Sequence, residues 1–460
     1  MNSWELHITA GEFVIDFAWL GVLLVLATLL RSRIGLFQKN LIPANLIAGF
    51  IGLILGMNVL GWIDLTTDRL GVYVYHLLAL LFIGLALRSP QEKLGISSVK
   101  TGLTFIITYL IQAITGLIVA FLLIYFLMPD LFAGIGLLPP LAFGMNPGIA
   151  YTFGHNWEQF GFESGGVVGL TFAAVGFLVA YTVGIWLVKR GIRNGDAAYI
   201  DSVFELSPEL KTGLIKDSSA RSAGKLTTAP EAIESFSLHI GLVGVIYILT
   251  YGCLKLLEAG LVYIGAEHEI QTLWSFHFIA AAILALFTRK LMDAAGVSFV
   301  VDDITMTRIS NLFMDFMIVA SIAAISMVVV HQYMIPLVAI SLLVGLFTWG
   351  IVHYLTRDAF TSYQLERFAA IFGNMTGTLQ SGLLLLRILD SGMKSPASYN
   401  LVYGSGFALI LGFPILLIIN APVHYFDNPN EGFMMIMLAM LIYLLMLLTG
   451  WKYLKKTKTD

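Results

Sequence analysis

Charge is what this chain has least of. Lys, Arg, Asp and Glu make up only 12% of its 460 residues, and 58% are hydrophobic. A soluble domain carries roughly 25% charged residues, so the shortage excludes an ordinary soluble protein and points to an integral membrane protein. Alternating ten-residue apolar strands are absent, which argues against a membrane β-barrel. A single cysteine, Cys253, excludes an internal disulfide and offers no thiol chemistry. The net charge of −3 gives no basis for binding nucleic acid. No Walker phosphate loop is present, so an ATP motor on this chain is not expected. No metal cluster and no nucleophile–base motif emerges, and neither an enzyme nor a bound cofactor is expected. The first seventeen residues, "MNSWELHITAGEFVIDF", hold no Lys or Arg. They make a poor signal-peptide start, and the first apolar helix is expected to stay in the mature protein.

What is present is a series of long apolar runs. Spans read at about 13–31, 42–60, 71–87, 102–127, 165–188, 237–259, 272–288, 309–330, 334–355, 400–420 and 433–450. These eleven runs suit helices crossing a hydrocarbon core of roughly 30 Å. Two further segments, about 131–157 and 364–388, are apolar but broken by Gly, Asn, Pro and Thr. With the N-terminus outside, the C-terminus cytoplasmic and both broken segments entering and leaving on one side, 24 of the 26 Lys and Arg fall on the cytoplasmic side. Only Arg69 and Lys255 fall outside. A full crossing by either segment would destroy this separation, so the positive-inside rule favours re-entrant hairpins.

The pattern has an internal symmetry. Residues 1–188 form a first repeat with its hairpin at about 131–157, and residues 236–421 a second with its hairpin at about 364–388. Each repeat has five helices, and because five is odd the second is inverted. Residues 189–235 read as a cytoplasmic linker, and 422–460 as an extra transmembrane helix with a basic cytoplasmic tail. The fold class expected is therefore an all-α polytopic membrane protein with about eleven transmembrane helices and two re-entrant hairpins. Inverted repeats with discontinuous helices in matching places point to a secondary transporter.

The breaks themselves carry the site. Backbone groups cannot go unpaired in lipid, so broken helix at membrane depth must be buried in protein or line a wet cavity. Leu131 to Gly144 makes roughly 20 Å of helix, enough to reach mid-membrane. The tip "GMNPGIAYT" then offers Asn146, Pro147, Gly148 and Thr152 to a solute. The second tip, "FGNMTGTLQSG", offers Asn374, Thr376, Thr378, Gln380 and Ser381. Helix N-termini suit an anion, and loose carbonyls suit Na⁺. The ion-binding candidates are Gly144, Asn45, Ser275, Gly373 and Asp315, the last an acid inside a predicted span. His76 and His353 read as structural residues.

Four segments stand out: "IGLFQKNLIPANLIAGFIGLILG", "HLLALLFIGLALRSP", "LPPLAFGMNPGIAYTFGHNWEQFGFESGGVVGLTFAAVGFLVAYTVGIWLVKR" and "ERFAAIFGNMTGTLQSG". In these, and in the order of elements over nearly its whole length, the chain resembles the bacterial glutamate:sodium symporter family. The resemblance implies Na⁺-coupled uptake of glutamate or a related small organic anion or amino acid. It implies a solute site between the hairpin tips, an elevator-like motion, a homodimer and a place in the bacterial plasma membrane. It implies Na⁺ as the coupling ion and no resident metal. The tips depart from the family's Gly-Gly-His-Gly-Thr-like and Gly-His-containing motifs, with Asn146 and Asn374 roughly where that family has His. The alternative is a cation/proton antiporter of related architecture, for which Asp315 is the acid placed to alternate between proton and ion.

Overall fold

The computed structural model describes residues 9–89, 95–200, 208–215, 222–390 and 393–454. Parts of the linker (201–207 and 216–221) and Lys455, Lys456 and Lys458 of the basic tail lie outside the described residues. The described residues are helical and contain no strand. In chain order the main helices are α1 (Ala10–Arg33), α2 (Ala44–Leu55), α3 (Thr67–Ala86), α4 (Ile96–Phe126), α5 (Pro147–Asn156), α6 (Gly165–Val179) and α7 (Ile185–Arg193). They continue as α8 (Ser235–Tyr263), α9 (His277–Ala294), α10 (Asp303–Ala323), α11 (Met334–Ala359), α12 (Gln364–Thr376), α13 (Leu379–Leu389), α14 (Ala397–Ile418) and α15 (Pro429–Leu454).

Among the described residues, nine helices are long and apolar enough to cross a membrane. This makes the chain a multi-pass membrane protein. Two of the eleven predicted runs fall short of that measure, and they occupy equivalent places in the two halves. The run at 42–60 is helical only over the 12 residues of α2. The run at 272–288 is divided at Phe276, and α9 continues into the charged residues Arg289, Lys290 and Asp293. Hydropathy averages across such breaks, whereas backbone hydrogen bonding does not. The linker contains one short described helix, Pro208–Thr212, whose Leu210 carbonyl accepts from Arg31 at 3.0 Å.

The chain divides into two compact units. The first holds Met1–Ala27, Ala44–Glu92 and Ile215–Ala324, and the second holds Thr28–Pro43, Lys93–Leu214 and Ile325–Asp460. Each unit therefore takes corresponding helices from both halves of the chain. In the first unit are α2, α3, α8, α9, α10 and most of α1. The second unit contains α4, both interrupted segments, α6, α7, α11, α14 and α15.

Within the first unit, α3 is held by Tyr75, whose hydroxyl donates to the Trp274 carbonyl at 2.8 Å, and by His277, whose Nε2 lies 2.9 Å from the Tyr75 carbonyl. Burying these rings costs little because each polar end finds a backbone partner. The two basic residues that the charge pattern leaves outside are both neutralised. Arg69 pairs with the buried Asp16 at 2.9 Å, and Lys255 pairs with Glu258 at 3.1 Å.

Within the second unit, α4 and α11 run antiparallel. Lys100 Nζ donates to the Ala359 carbonyl at 3.1 Å, and Gln112 Nε2 donates to Thr348 Oγ1 at 2.9 Å, two points that fix the relative direction. α4 and α11 are the fourth helices of their respective halves, and inverted repeats require such equivalents to run oppositely. By contrast α14 runs parallel to α4, with Ser98 donating to Asn400 at 3.1 Å and Gly102 lying against Gly404.

Candidate functional site

Both interrupted segments fold back on themselves, and both do so in the second unit. The first leaves the end of α4 and returns along it. Its opening turn, Ala133–Leu137, sets Gly136 against Gly116, where a Cβ on Gly116 would lie 2.0 Å from the Gly136 carbonyl oxygen. A wide π-helical turn, Pro140–Met145, then brings the Gly144 carbonyl to the Tyr109 hydroxyl at 2.8 Å. At Asn146 the backbone is fully extended (φ −169°, ψ 165°) and the helix stops. α5 starts at Pro147 and runs back out along α6, with Gly154 against Gly165. The two ends of the segment close on each other: the Phe132 and Trp157 rings are 5.9 Å apart, and Phe132 stacks on Phe162 at 4.9 Å. A segment whose ends meet in this way enters and leaves at one end of the bundle.

The second segment is a tighter hairpin. α12 ends at Thr376, Gly377 and the extended Thr378 form a short link, and α13 begins at Leu379. The arms pack backbone to backbone, since a Cβ on Gly373 would lie 2.8 Å from the Cα of Gly382. Small residues at such positions are what allows two helices to approach this closely.

The two tips meet beside α6. A Cβ on Gly176 would lie 2.5 Å from the Thr376 carbonyl oxygen and 2.9 Å from the Phe143 ring, one atom from each segment. Gln112, in the middle of α4, also touches both. Its Nε2 donates to the Met375 carbonyl at 2.8 Å, and its Oε1 lies 3.3 Å from where a Cβ on Gly144 would stand. Gln112 is fully buried, yet Oε1 has no hydrogen-bond partner. The same is true of Thr378 Oγ1, in the extended link between α12 and α13. Unpaired buried polar atoms cost free energy of about 1–3 kcal/mol each, and they lie where the two helix breaks converge.

The predicted solute residues are held in different ways. Asn146 caps α5, its Oδ1 accepting from the Ile149 N–H at 3.0 Å, an arrangement that orders the helix start. Pro147 occupies the first helical position, where its missing N–H costs nothing. Thr152 donates to the Gly148 carbonyl, and Thr376 to the Phe372 carbonyl, both at 2.8 Å. Their hydroxyls face their own helices and keep only lone pairs for a ligand. Ser381 is 2.6 Å from the Tyr181 hydroxyl, which a π-helical turn at Ala180–Gly184 sets beside it. Thr378 makes no side-chain cap for α13, so that helix start, whose first turn includes Gln380, offers the N–H groups of Leu379 and Ser381. Asn374 is buried near the end of α12.

The ion candidates divide between the units. Gly144 and Gly373 sit in the second unit, their carbonyls accepting from Tyr109 and from the Gly377 N–H. Asn45, Ser275 and Asp315 belong to the first unit. There Asn45 donates to Asp315 at 2.8 Å, while Ser275 turns back to the Gln271 carbonyl at 2.9 Å. The structure therefore brings the two tips together and pairs Asn45 with Asp315 elsewhere.

Sequence reasoning missed Gln112, Tyr181 and Gly176. A signal for Gln112 was present, because it is a lone amide inside the apolar run "TFIITYLIQAITGLIVAF", and a polar side chain at membrane depth marks a candidate site. Gly176 and Tyr181 carry no such mark; only the packing reveals them. The sequence matches no protein-family model and no curated protein.

Proposed function

We propose that the protein is a secondary active transporter that couples Na⁺ to the uptake of glutamate or a related small organic anion or amino acid. The proposed solute site lies between the two hairpin tips. The observation that carries this reading is the convergence of two helix breaks on Gly176 and Gln112, with Gln112 Oε1 and Thr378 Oγ1 buried and unpaired. The uncapped start of α13 suits a carboxylate, because a helix N-terminus presents free N–H groups and a partial positive charge. Carbonyl, amide and hydroxyl oxygens at the same place suit a hard cation without a formal negative ligand. In this proposal the chain makes eleven crossings with two re-entrant hairpins, its N-terminus outside and its C-terminus cytoplasmic. It works as a homodimer in a bacterial plasma membrane, with an elevator-like movement of the hairpin-bearing unit.

The opposite directions of α4 and α11 support the inverted repeat on which alternating access depends. Thermal unfolding of the purified protein tests the reading. Amino acids and dicarboxylates are offered one at a time with Na⁺ or with choline. A solute that binds the folded state raises the midpoint by mass action, and at least one solute should do so only with Na⁺. Asn146→Leu and Asn374→Leu should abolish that shift while leaving folded protein. Full shifts from both variants would sink the site.

One observation favours a second reading. Asp315, hydrogen-bonded by Asn45 in the first unit, is an acid within an apolar helix of the kind a cation/proton antiporter uses. Asp315→Asn separates the two. Na⁺-dependent uptake that survives this change with an unaltered pH profile excludes the antiporter.

A further inference from the structure

The second unit contains a cavity at the foot of the second hairpin, at the opposite end of α12 from its tip. It has a volume of about 360 Å³ and lies where α7 and α11 end and α12 begins. Its polar lining includes Arg190, Asn194, Asp196, His353, Arg357 and Gln364. Two arginines thus line one space, and Asp196 is the single acidic residue among the lining. Neither arginine forms an ion pair among the described residues. Arg190 instead lies 5.5 Å over the Trp186 ring. Two planar forks without carboxylate partners match a phosphate diester, which accepts bidentate hydrogen bonds from arginine.

The surroundings indicate where that phosphate comes from. Trp349 lines the cavity and stacks on His353 with ring centroids 6.2 Å apart. Around it, the membrane-length helices expose apolar side chains: Trp186 is 53% exposed, Leu346 55%, Phe347 51% and Tyr354 59%. Aromatic rings beside arginines at the ends of apolar helices mark the headgroup level of a bilayer. Basic pockets between transmembrane helices on the cytoplasmic side bind anionic headgroups, and the charge pattern assigns this end of the molecule to the cytoplasm. We infer that the cavity binds the phosphate of an anionic glycerophospholipid between Arg190 and Arg357, with the acyl chains lying along the exposed face of α11. This inference goes beyond the transport reading. It rests on the membrane placement of the helices and not on the identity of the solute.

Native mass spectrometry of the full chain, offered equal phosphatidylglycerol and phosphatidylcholine, tests it. The wild type should retain one phosphatidylglycerol in preference to phosphatidylcholine. The double variant Arg190→Gln with Arg357→Gln should reduce that preference by about tenfold or more, since each basic residue near the headgroups contributes to anionic-lipid binding. Asp196→Asn, which removes the one acid of the lining, should increase it. Equal preference in the wild type and the double variant overturns the site, as does an Asp196→Asn protein with the wild-type ratio. Inorganic phosphate at tens of millimolar should leave the lipid bound. Displacement of the lipid by phosphate would mean a soluble-anion site and would overturn the lipid assignment.

Discussion

Gln112 does two jobs with one side chain. Its amide N–H groups tie α4 to Met375 at one tip and to Thr348 of α11, at 2.8 and 2.9 Å. Its carbonyl oxygen is left facing Gly144 without a partner. Gln112→Leu leaves the Met375 carbonyl unpaired in a buried place, which costs about 1–3 kcal/mol. It also removes the oxygen available to an ion or solute. We expect a lower unfolding midpoint in the absence of ligand, together with loss of any Na⁺-dependent ligand shift. Thr348→Val removes one of the same hydrogen bonds but leaves Gln112 Oε1 in place, and should keep the shift. A Gln112→Leu protein that still responds to Na⁺ and solute would remove this residue from the site. The sequence showed Gln112 only as a polar residue in an apolar run, which an ordinary interhelical hydrogen bond explains equally well. Asn146 was legible because it stands beside Pro147 and between glycines, a combination that a continuous helix does not tolerate.

Among the elements, the two hairpins share a construction: an arm, a short non-helical link and a second arm. Their breaks fall at Asn146 and at Gly377–Thr378, where Gly, Asn, Pro and Thr interrupt apolar sequence. Which helices each arm packs against was not legible. That depends on Gly116 meeting Gly136, Gly154 meeting Gly165 and Gly373 meeting Gly382, pairings between residues that look alike in sequence. The break at Phe276 was also hidden, because no Gly or Pro marks it. The single native cysteine makes the hairpin geometry testable. In a Cys253→Ala background, Asp130→Cys and Gln159→Cys should react with a membrane-impermeant maleimide from outside. Thr361→Cys and Lys394→Cys should react only from the cytoplasmic side. Labelling of 130 and 159 from opposite sides would mean that the first segment crosses the membrane and would end the re-entrant reading.

For the whole molecule, the instructive feature is how the chain is shared between its two units. The first three helices of each half go to one unit, and the fourth, the hairpin and the fifth go to the other. The proposed inverted repeat thus has its corresponding helices sorted into the same units. This explains why Asn45, Ser275 and Asp315, grouped with the tips by the sequence pattern, belong to a unit that holds neither tip. Span order gives direction and number, but side-chain packing decides which spans associate. Na⁺-driven accumulation of a solute is what the proposed function requires. The protein is reconstituted into liposomes, and labelled glutamate, followed by the other solutes of the panel, is offered with an inward Na⁺ gradient or with choline in its place. We expect saturable accumulation that requires the Na⁺ gradient and is lost in Asn146→Leu and Gln112→Leu. Accumulation of every solute that is indifferent to Na⁺, or that persists in both variants, would contradict it.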